Sequence, residues 1–245
     1  MKITFLGTSH GIAEKNQFCS SALVSIGSRH YVIDAGAPIM TLLRNHDVAY
    51  EDVQGIFITH SHTDHFMGLV EFTYQINNFS RFEHVNIPVF VPDEQRYKDM
   101  FLFLFGKPEF RGRLKYQVYE AGVIFDDGIL KVTAIPVGHC PNAHAFMLEA
   151  EGKRVVFTGD MRADLADYPQ VITEKVCDLV VIEGAHYTFD KDSIVGILKN
   201  SKCKKMLVNH CNFARNTKEV LASFYQKING AFEIDYAYDT VCVEL

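Results

Sequence analysis

The sequence lacks the features of a secreted or membrane-inserted protein. Its six cysteines are scattered with no CxxC pair, which in a chain this long favours reduced thiols over a disulfide framework. No stretch approaches the ~20 apolar residues that cross a bilayer as a helix, and the first residues run directly into a strand pattern instead of a signal peptide. We therefore expect a cytoplasmic protein without a membrane segment.

The sequence also lacks an excess of positive charge and any low-complexity linker. Its net charge is −6, so a broad basic surface that binds nucleic acid through counterion release is not expected. Hydrophobic residues make up 48% of its 245 residues, enough for a large core without disulfides or a structural metal. We expect one domain over residues 1–245 and a small-molecule substrate, with nucleic acid as a less favoured partner.

Short runs of β-branched residues separated by turn residues predict many strands. These runs are KITFLG, SALVSIG, HYVIDAG, GIFITH, IPVFVP, LKVTAIPV, AFMLEA, KRVVFTGD, DLVVIEG, KMLVNH and VCVEL. Helical patterns lie between some of them. The predicted helices cover Pro38 to Asn45, the segment after His65, Asp93 to Phe105, Asp190 to Asn200 and Asn216 to Ile228. This mixture predicts two sheets with helices packed outside.

Two segments have no clear place in this pattern. Residues 76 to 120 are the least regular part of the chain, and we expect an insertion that covers the functional site. The apolar run Phe101 to Phe105 is too short for a membrane span and favours a buried helix or a dimer contact. A second copy of the chain is therefore a candidate partner.

Four potential metal ligands follow one predicted buried strand. The apolar run that begins at Ile56 ends at His60-Ser61-His62-Thr63-Asp64-His65. Side chains at i and i+2 of extended backbone, here His60 and His62, can converge on one ion, and imidazole nitrogen and carboxylate oxygen suit Zn²⁺, Mn²⁺ or Fe²⁺. Asp64 and His65 are displaced far enough to reach a second ion nearby.

Three further candidates follow apolar strands elsewhere in the chain. His139 comes after TAIPVG, Asp160 after VVFTG and His210 after MLVN. Polar side chains on loops above a rigid sheet are a common way to build a preorganised metal site. We therefore expect these three residues to join the cluster.

At these residues the chain resembles the metallo-β-lactamase superfamily. Its HxHxDH motif is matched by His60, His62, Asp64 and His65, while His139, Asp160 and His210 resemble the third, fourth and fifth motifs and Asp34 in VIDAG resembles the first. The resemblance implies an α/β fold, an αββα sandwich with the metal site at one edge of the sheets. It also implies two divalent ions, for which Zn²⁺ is preferred and Mn²⁺ or Fe²⁺ are alternatives.

The resemblance also implies how the ligands divide. His60, His62 and His139 would hold one ion, Asp64, His65 and His210 the other, and Asp160 would bridge them. Two ions ~3.5–4 Å apart can deprotonate a shared water, and the resulting hydroxide is the expected nucleophile. Asp34 is interpreted as a residue that orients a ligand, with a turn aspartate as the alternative.

The opening Phe5-Leu6-Gly7-Thr8-Ser9 resembles the ribonuclease Z group and related small cyclic phosphodiesterases. That group usually has a proline and an arginine where this chain has Ala13, Asn16 and Gln17. The Gly- and Lys-rich arm with which its ribonucleases grip tRNA has no counterpart between Asp160 and His210. The resemblance therefore favours a phosphodiesterase acting on a small phosphodiester over a tRNA 3′-processing endonuclease.

Glu183 and His186 in VIEGAH match the place where related phosphodiesterases carry an acidic residue and a histidine. We interpret Asp64 and His186 as catalytic, with His186 donating a proton or binding phosphate and Glu183 supporting the site. The alternative is that His186 caps the helix near Asp190. His10 is interpreted as a solvent-facing turn residue, with a place at the site as the alternative.

Two other functions stay open from the sequence. Hydrolysis of a thioester, lactone or related carbonyl would use the same metals and would be favoured by an apolar pocket lined by Phe79, Phe82 and Phe105. A metal-stabilised binding or sensor protein would keep the fold without turnover. It is the least favoured function, because all seven expected ligands are present.

Overall fold

Fourteen strands form two seven-stranded sheets in the computed structural model, which describes residues 1–108 and 112–245. In chain order the strands are β1 (Lys2–Gly7), β2 (Ser21–Ile26), β3 (Arg29–Ile33), β4 (Val53–Phe57), β5 (Ile87–Val91), β6 (Leu114–Val118), β7 (Gly122–Asp126), β8 (Lys131–Pro136), β9 (His144–Ala150), β10 (Lys153–Phe157), β11 (Cys177–Gly184), β12 (Cys203–Cys211), β13 (Glu233–Tyr236) and β14 (Cys242–Glu244). The first sheet has the order β14-β1-β2-β3-β4-β5-β6, and the second has the order β13-β12-β11-β10-β9-β8-β7.

Helices cover the outer face of each sheet. They are α1 (Ile39–Asn45), α2 (Thr63–Phe66), α3 (Gly68–Asn78), α4 (Glu94–Phe105), α5 (Val171–Glu174), α6 (Asp192–Leu198) and α7 (Lys218–Lys227), with short 3-10 turns at Tyr50–Asp52 and Ser80–Phe82. Asp93 caps α4 by accepting the backbone N–H groups of Gln95 and Arg96, which a helix cannot satisfy internally. No helix in the described ranges is long and apolar enough to cross a membrane.

The buried side chains form three layers because residues alternate between the two faces of a strand. Phe57 of β4 points into the core between the two sheets, whereas Ile56 points into the core between the first sheet and its helices. A third core joins the second sheet to α6 and α7. The αββα sandwich predicted from the sequence is therefore the observed arrangement.

The prediction that residues 76 to 120 form an insertion over the site is wrong. Their described part contains β5, α4 and β6, and β6 pairs in parallel with β5 to extend the first sheet. Residues 109–111 lie outside the described residues.

The run from Phe101 to Phe105 lies on α4, where Phe101 is buried and Phe103 is 81% exposed. The buried-helix interpretation therefore holds for one face of α4 only.

Asp127 joins the two sheets at the end distant from the metal ligands. Its Oδ2 accepts the Tyr31 hydroxyl at 2.7 Å and Arg29 Nη1 at 3.1 Å, both from β3 of the first sheet. Its Oδ1 accepts the backbone N–H groups of Ile129 and Leu130 in the turn that joins β7 and β8 of the second sheet. Burial alone would raise the pKa of Asp127, but these hydrogen bonds hold it below the ordinary value.

Replacing Asp127 with Asn should lower the free energy of unfolding at pH 7 by about 1–2 kcal/mol, because charged hydrogen bonds are lost. The folded pKa of Asp127 is depressed, so its contribution is present above the unfolded pKa of about 3.9 and disappears as the pH falls through the folded value. Urea unfolding of both proteins at pH 7 and pH 3 measures the difference. Asp126→Asn is the control, since among the described residues the Asp126 carboxylate accepts only a local N–H, that of Gly128. An equal effect of both substitutions, or a loss that does not shrink at pH 3, would contradict this role.

Candidate metal centre

The seven candidate ligands lie together where strands from both sheets end. His60 follows β4, and His62 directly precedes α2, which contains Asp64 and His65. His139 and Asp160 follow β8 and β10, and His210 lies near the end of β12. Strands β10, β11 and β12 are parallel, so the residues at their carboxyl ends meet at one edge.

The first ligand group contains His60, His62, His139 and Asp160, each with a ligand atom within 4.8 Å of the others. His62 Nδ1 is 3.0 Å from His60 Nε2 and 3.2 Å from His139 Nε2. Nitrogens that bind Zn²⁺ at ~2.0–2.1 Å in a tetrahedron are separated by about 3.3 Å. The three imidazoles therefore have the spacing that a shared cation requires.

The second ligand group contains Asp64, His65 and His210. Asp64 Oδ2 lies 3.8 Å from His65 Nε2 and 3.6 Å from His210 Nε2. Both histidines are buried and Asp64 is partly exposed, so this group opens toward solvent on the side of Asp64.

Asp160 contacts both groups with one buried carboxylate. Its Oδ1 is 3.4 Å from His65 Nε2, and its Oδ2 is 3.3 Å from His210 Nε2. On the other side, Oδ2 is 3.6 Å from His139 Nε2 and 3.8 Å from His60 Nε2. The structure thus places Asp160 between the two groups, as a bridging ligand requires.

Two buried atoms in this centre lack hydrogen-bond partners among the described residues, namely His65 Nε2 and Asp160 Oδ1. An unsatisfied buried polar atom costs about 1–3 kcal/mol and more when it is charged. Cations bound at the two groups would satisfy both atoms, and the nitrogen and oxygen donors suit Zn²⁺, Mn²⁺ or Fe²⁺. The residues therefore fit two divalent metal ions, and this donor set does not select one of the three metals.

The electrostatics of the centre favour positive charge. Burial would raise the pKa of Asp160, but the charges of His210 and His65 hold it well below its ordinary value. Burial would lower the pKa of His65, yet Asp160 and Asp34 raise it well above the ordinary value. Burial and the charge of His65 lower the pKa of His60, which keeps its imidazole neutral, the form that binds a metal.

Asp34 orients one ligand and the backbone beside another. Its Oδ2 accepts His65 Nδ1–H at 2.8 Å, so Nε2 is the nitrogen left to bind a metal. Its Oδ1 accepts the Thr59 N–H at 2.7 Å, immediately before His60. The structure thus places Asp34 in the contact expected of a residue that orients a ligand.

Two hydroxyl residues that were not predicted from the sequence contact the ligand histidines at the nitrogen that faces away from the metal position. Thr59 Oγ1 donates to Asp34 and lies 3.1 Å from His60 Nδ1, which leaves His60 Nε2 for the metal. Ser20 Oγ lies 3.1 Å from His210 Nδ1. Thr59 could have been found from its place before His60, whereas Ser20 is far from every motif.

Glu183 holds His186 beside the first ligand group. Buried Glu183 accepts the His186 N–H and the Ala185 N–H through Oε2, and it accepts His186 Nδ1–H through Oε1 at 3.1 Å. The His186 ring lies 4.6 Å from the His139 ring. The hydrogen bond to Glu183 raises the pKa of His186 although burial opposes it.

The interpretation of His186 as a helix cap is wrong, because Lys191 is the N-cap residue of α6.

Two other interpretations based on the sequence need correction. His10 does not face solvent, because its side chain is only 14% exposed and its ring lies 6.5 Å from the His210 ring. The apolar pocket considered for a carbonyl substrate is not assembled at the metal centre. Phe82 is buried in the core between the first sheet and its helices, Phe105 packs against that core, and Phe79 is exposed.

Known proteins with similar sequences include members of two related groups. The family model described as Anti-Pycsar protein Apyc1 matches residues 1–103, less than half of the chain. Ribonuclease Z of Synechococcus sp. (strain CC9311) is 27% identical over 172 residues, which cover 67% of this chain and 54% of that protein. The chain spans about half the length of the curated relatives it matches.

Solved structures confirm the metallo-β-lactamase fold. The metallo-β-lactamase fold protein YhfI from Bacillus subtilis superposes with a TM-score of 0.75 at 18% identity and covers 99% of both chains. The short form of human tRNase Z superposes with a TM-score of 0.73 at 18% identity, covering 100% of this chain and 99% of that one. At these identities the likeness shows the fold alone.

Proposed function

We propose that this chain, a metallo-β-lactamase fold protein related to ribonuclease Z, is a dinuclear metal-dependent phosphodiesterase acting on a small phosphodiester. The observation that carries the proposal is the buried Asp160 carboxylate between two groups of imidazoles. A phosphodiester carries a negative charge that increases at its oxygens during cleavage, and a site that holds two adjacent cations is suited to stabilise it.

The chain's own residues divide the work of the reaction. His60, His62 and His139 would hold one metal, Asp64, His65 and His210 the other, and Asp160 both. When bound, two divalent metals supply Lewis-acid stabilisation of phosphoryl oxygens and activation of water at neutral pH. Asp64, at the open side of the second group, orients the attacking water. Asp34 keeps His65 Nε2 directed toward the metal.

Two comparisons favour a phosphodiester as the substrate, and the charge of the chain favours a small one. The Apyc1 family model suggests a cyclic-nucleotide phosphodiesterase, and the ribonuclease Z relatives are named for cleavage of RNA. The net charge of −6 disfavours binding of a polyanion as large as tRNA.

Four other expectations from the sequence stay predictions. They are Zn²⁺ as the resident metal, one domain over residues 1–245, a cytoplasmic location and a second copy of the chain as partner.

His186 is proposed to assist departure of the leaving group. Its Nδ1 is fixed by Glu183 and its ring lies beside His139, so its Nε2 can approach an oxygen of a substrate bound at the metals. An imidazole in this position can donate a proton to the departing alkoxide or hold a phosphate oxygen. Proton donation would matter most for a poor leaving group such as an alkoxide, whereas phosphate binding would matter equally for all leaving groups.

A substrate panel tests the reaction class. Protein loaded with Zn²⁺ or Mn²⁺ should hydrolyse bis(p-nitrophenyl) phosphate and a 3′,5′-cyclic nucleotide with higher kcat/KM than a thioester or a lactone, and it should not process precursor tRNA. His62→Ala, which removes a proposed ligand, controls for contaminating hydrolases. A higher kcat/KM for the thioester or lactone, or cleavage of precursor tRNA in preference to the cyclic nucleotide, would contradict the proposed substrate class.

Replacing His186 with Ala should lower turnover of a cyclic nucleotide by on the order of 10²–10⁴-fold, because its alkoxide leaving group needs a proton. Turnover of bis(p-nitrophenyl) phosphate should fall much less, since nitrophenolate leaves without protonation. Metal content should be unchanged, and its measurement in both proteins is the control. Equal losses on the two substrates would argue for phosphate binding, and unchanged turnover of both would remove His186 from the mechanism.

A further inference from the structure

Arg215 lies on the turn after β12, beside the loop that carries His186. Its Nη1 donates to the carbonyl oxygen of Ala185 at 2.7 Å, and Ala185 directly precedes His186. Its backbone N–H donates to the carbonyl oxygen of Asn212 at 3.0 Å. The side-chain hydrogen bond to Ala185 places the exposed guanidinium beside the backbone that carries the proposed proton donor.

The turn that carries Arg215 is anchored on both sides of His186. Fully buried Asn216 donates its side-chain amide to the carbonyl oxygens of Gly184 at 2.7 Å and Tyr187 at 2.9 Å. Its Oδ1 accepts the Phe189 N–H at 3.0 Å. Because the two loops are joined in this way, the position of Arg215 relative to His186 is set by the fold.

The charge of Arg215 is not neutralised within the described part of the chain, where no carboxylate forms an ion pair with it. The guanidinium has five N–H donors, and its hydrogen bond to Ala185 uses one. Its positive charge acts on His186 and opposes the rise in the pKa of that imidazole caused by Glu183. Arg162, an exposed arginine on the loop after Asp160, is instead paired with Asp164 at 3.0 Å.

We propose that Arg215 binds a non-bridging oxygen of the substrate phosphate and thereby selects an anionic phosphodiester over a neutral ester. This inference rests on the proposed phosphodiesterase function. The planar guanidinium can donate to a phosphate oxygen while another of its N–H groups stays bound to Ala185, an arrangement to which its rigid array of five donors is better suited than a lysine ammonium. Arg215 is therefore a specificity residue that acts on the substrate, beyond its contact with the His186 loop.

A purely structural role for Arg215 makes a different prediction. If Arg215 only tethered the loop through Ala185, its loss would displace His186 and slow every substrate that needs His186. The size of this loss in turnover would not depend on the charge of the substrate. The affinity for a free anion such as inorganic phosphate would also be unchanged, because binding of the anion needs no proton donor.

Arg215→Met and Arg215→Lys should be compared with the metal-loaded wild-type protein, with Arg162→Met as the matched control. We expect Arg215→Met to raise KM for bis(p-nitrophenyl) phosphate and the Kd of inorganic phosphate, measured calorimetrically, by on the order of 10- to 100-fold, since a charged hydrogen bond is lost. Arg215→Lys should show a smaller rise than Arg215→Met in both the KM and the phosphate Kd. Hydrolysis of neutral p-nitrophenyl acetate and the metal content should stay unchanged, as should all values for Arg162→Met.

The outcomes separate this inference from the proposed function. Unchanged KM and phosphate Kd in Arg215→Met, with the wild-type protein hydrolysing the diester, would overturn the role of Arg215 alone. Slower turnover of a cyclic nucleotide, whose alkoxide leaving group needs His186, with unchanged KM for bis(p-nitrophenyl) phosphate and unchanged phosphate Kd, would show that Arg215 is only a tether. Absence of diester hydrolysis by the wild-type protein would instead overturn the phosphodiesterase itself.

Discussion

The rest of the site depends on one buried carboxylate, that of Asp160, which is 3% exposed and surrounded by imidazoles from both ligand groups. A buried charge is costly unless it is paired. Here the imidazole nitrogens of His65 and His210 lie 3.4 Å and 3.3 Å from its oxygens, the charges of these two histidines hold the pKa of Asp160 well below its ordinary value, and two cations would complete the neutralisation. The position of Asp160 at the carboxyl end of β10 would therefore set the position of two bound metals.

Two further carboxylates extend this arrangement outward, one from each sheet. Asp34 follows β3 of the first sheet and fixes the imidazole of His65. Glu183 lies on β11 of the second sheet, accepts the Met161 N–H beside Asp160, and fixes the imidazole of His186. Each imidazole is thus oriented by a carboxylate that itself accepts hydrogen bonds from backbone N–H groups. These contacts limit rotation of the imidazole ring.

Much of the site could be predicted from the sequence because metal ligands are rare residue types placed where strands end. His60, His62, Asp64 and His65 lie within six positions, and continuous apolar runs before His60 and Asp160 indicated buried strands that end at these residues. Ser20 could not be found in this way, because it is an ordinary hydroxyl residue far from every motif, and its contact with His210 exists only after the chain folds.

The errors in the predicted fold have a related cause. Strands β6 and β7 lie at sheet edges and expose most of their side chains, so they lack the alternating apolar pattern that identifies a half-buried strand. The solvent-facing interpretation of His10 failed because a turn was assumed to face water, whereas this turn folds back toward His210. In both cases the neighbours that decide burial are distant in sequence.

The central claim, that one carboxylate joins two metal sites, is tested most directly by calorimetric titration of metal-free protein with Zn²⁺. The wild-type protein should bind two equivalents per chain. Asp160→Asn should keep its fold and bind at least one equivalent at least 10-fold more weakly, because the amide lacks the charge that offsets two adjacent cations. Saturation of the wild-type protein at one equivalent, or two equivalents bound by Asp160→Asn with unchanged affinity, would contradict the claim.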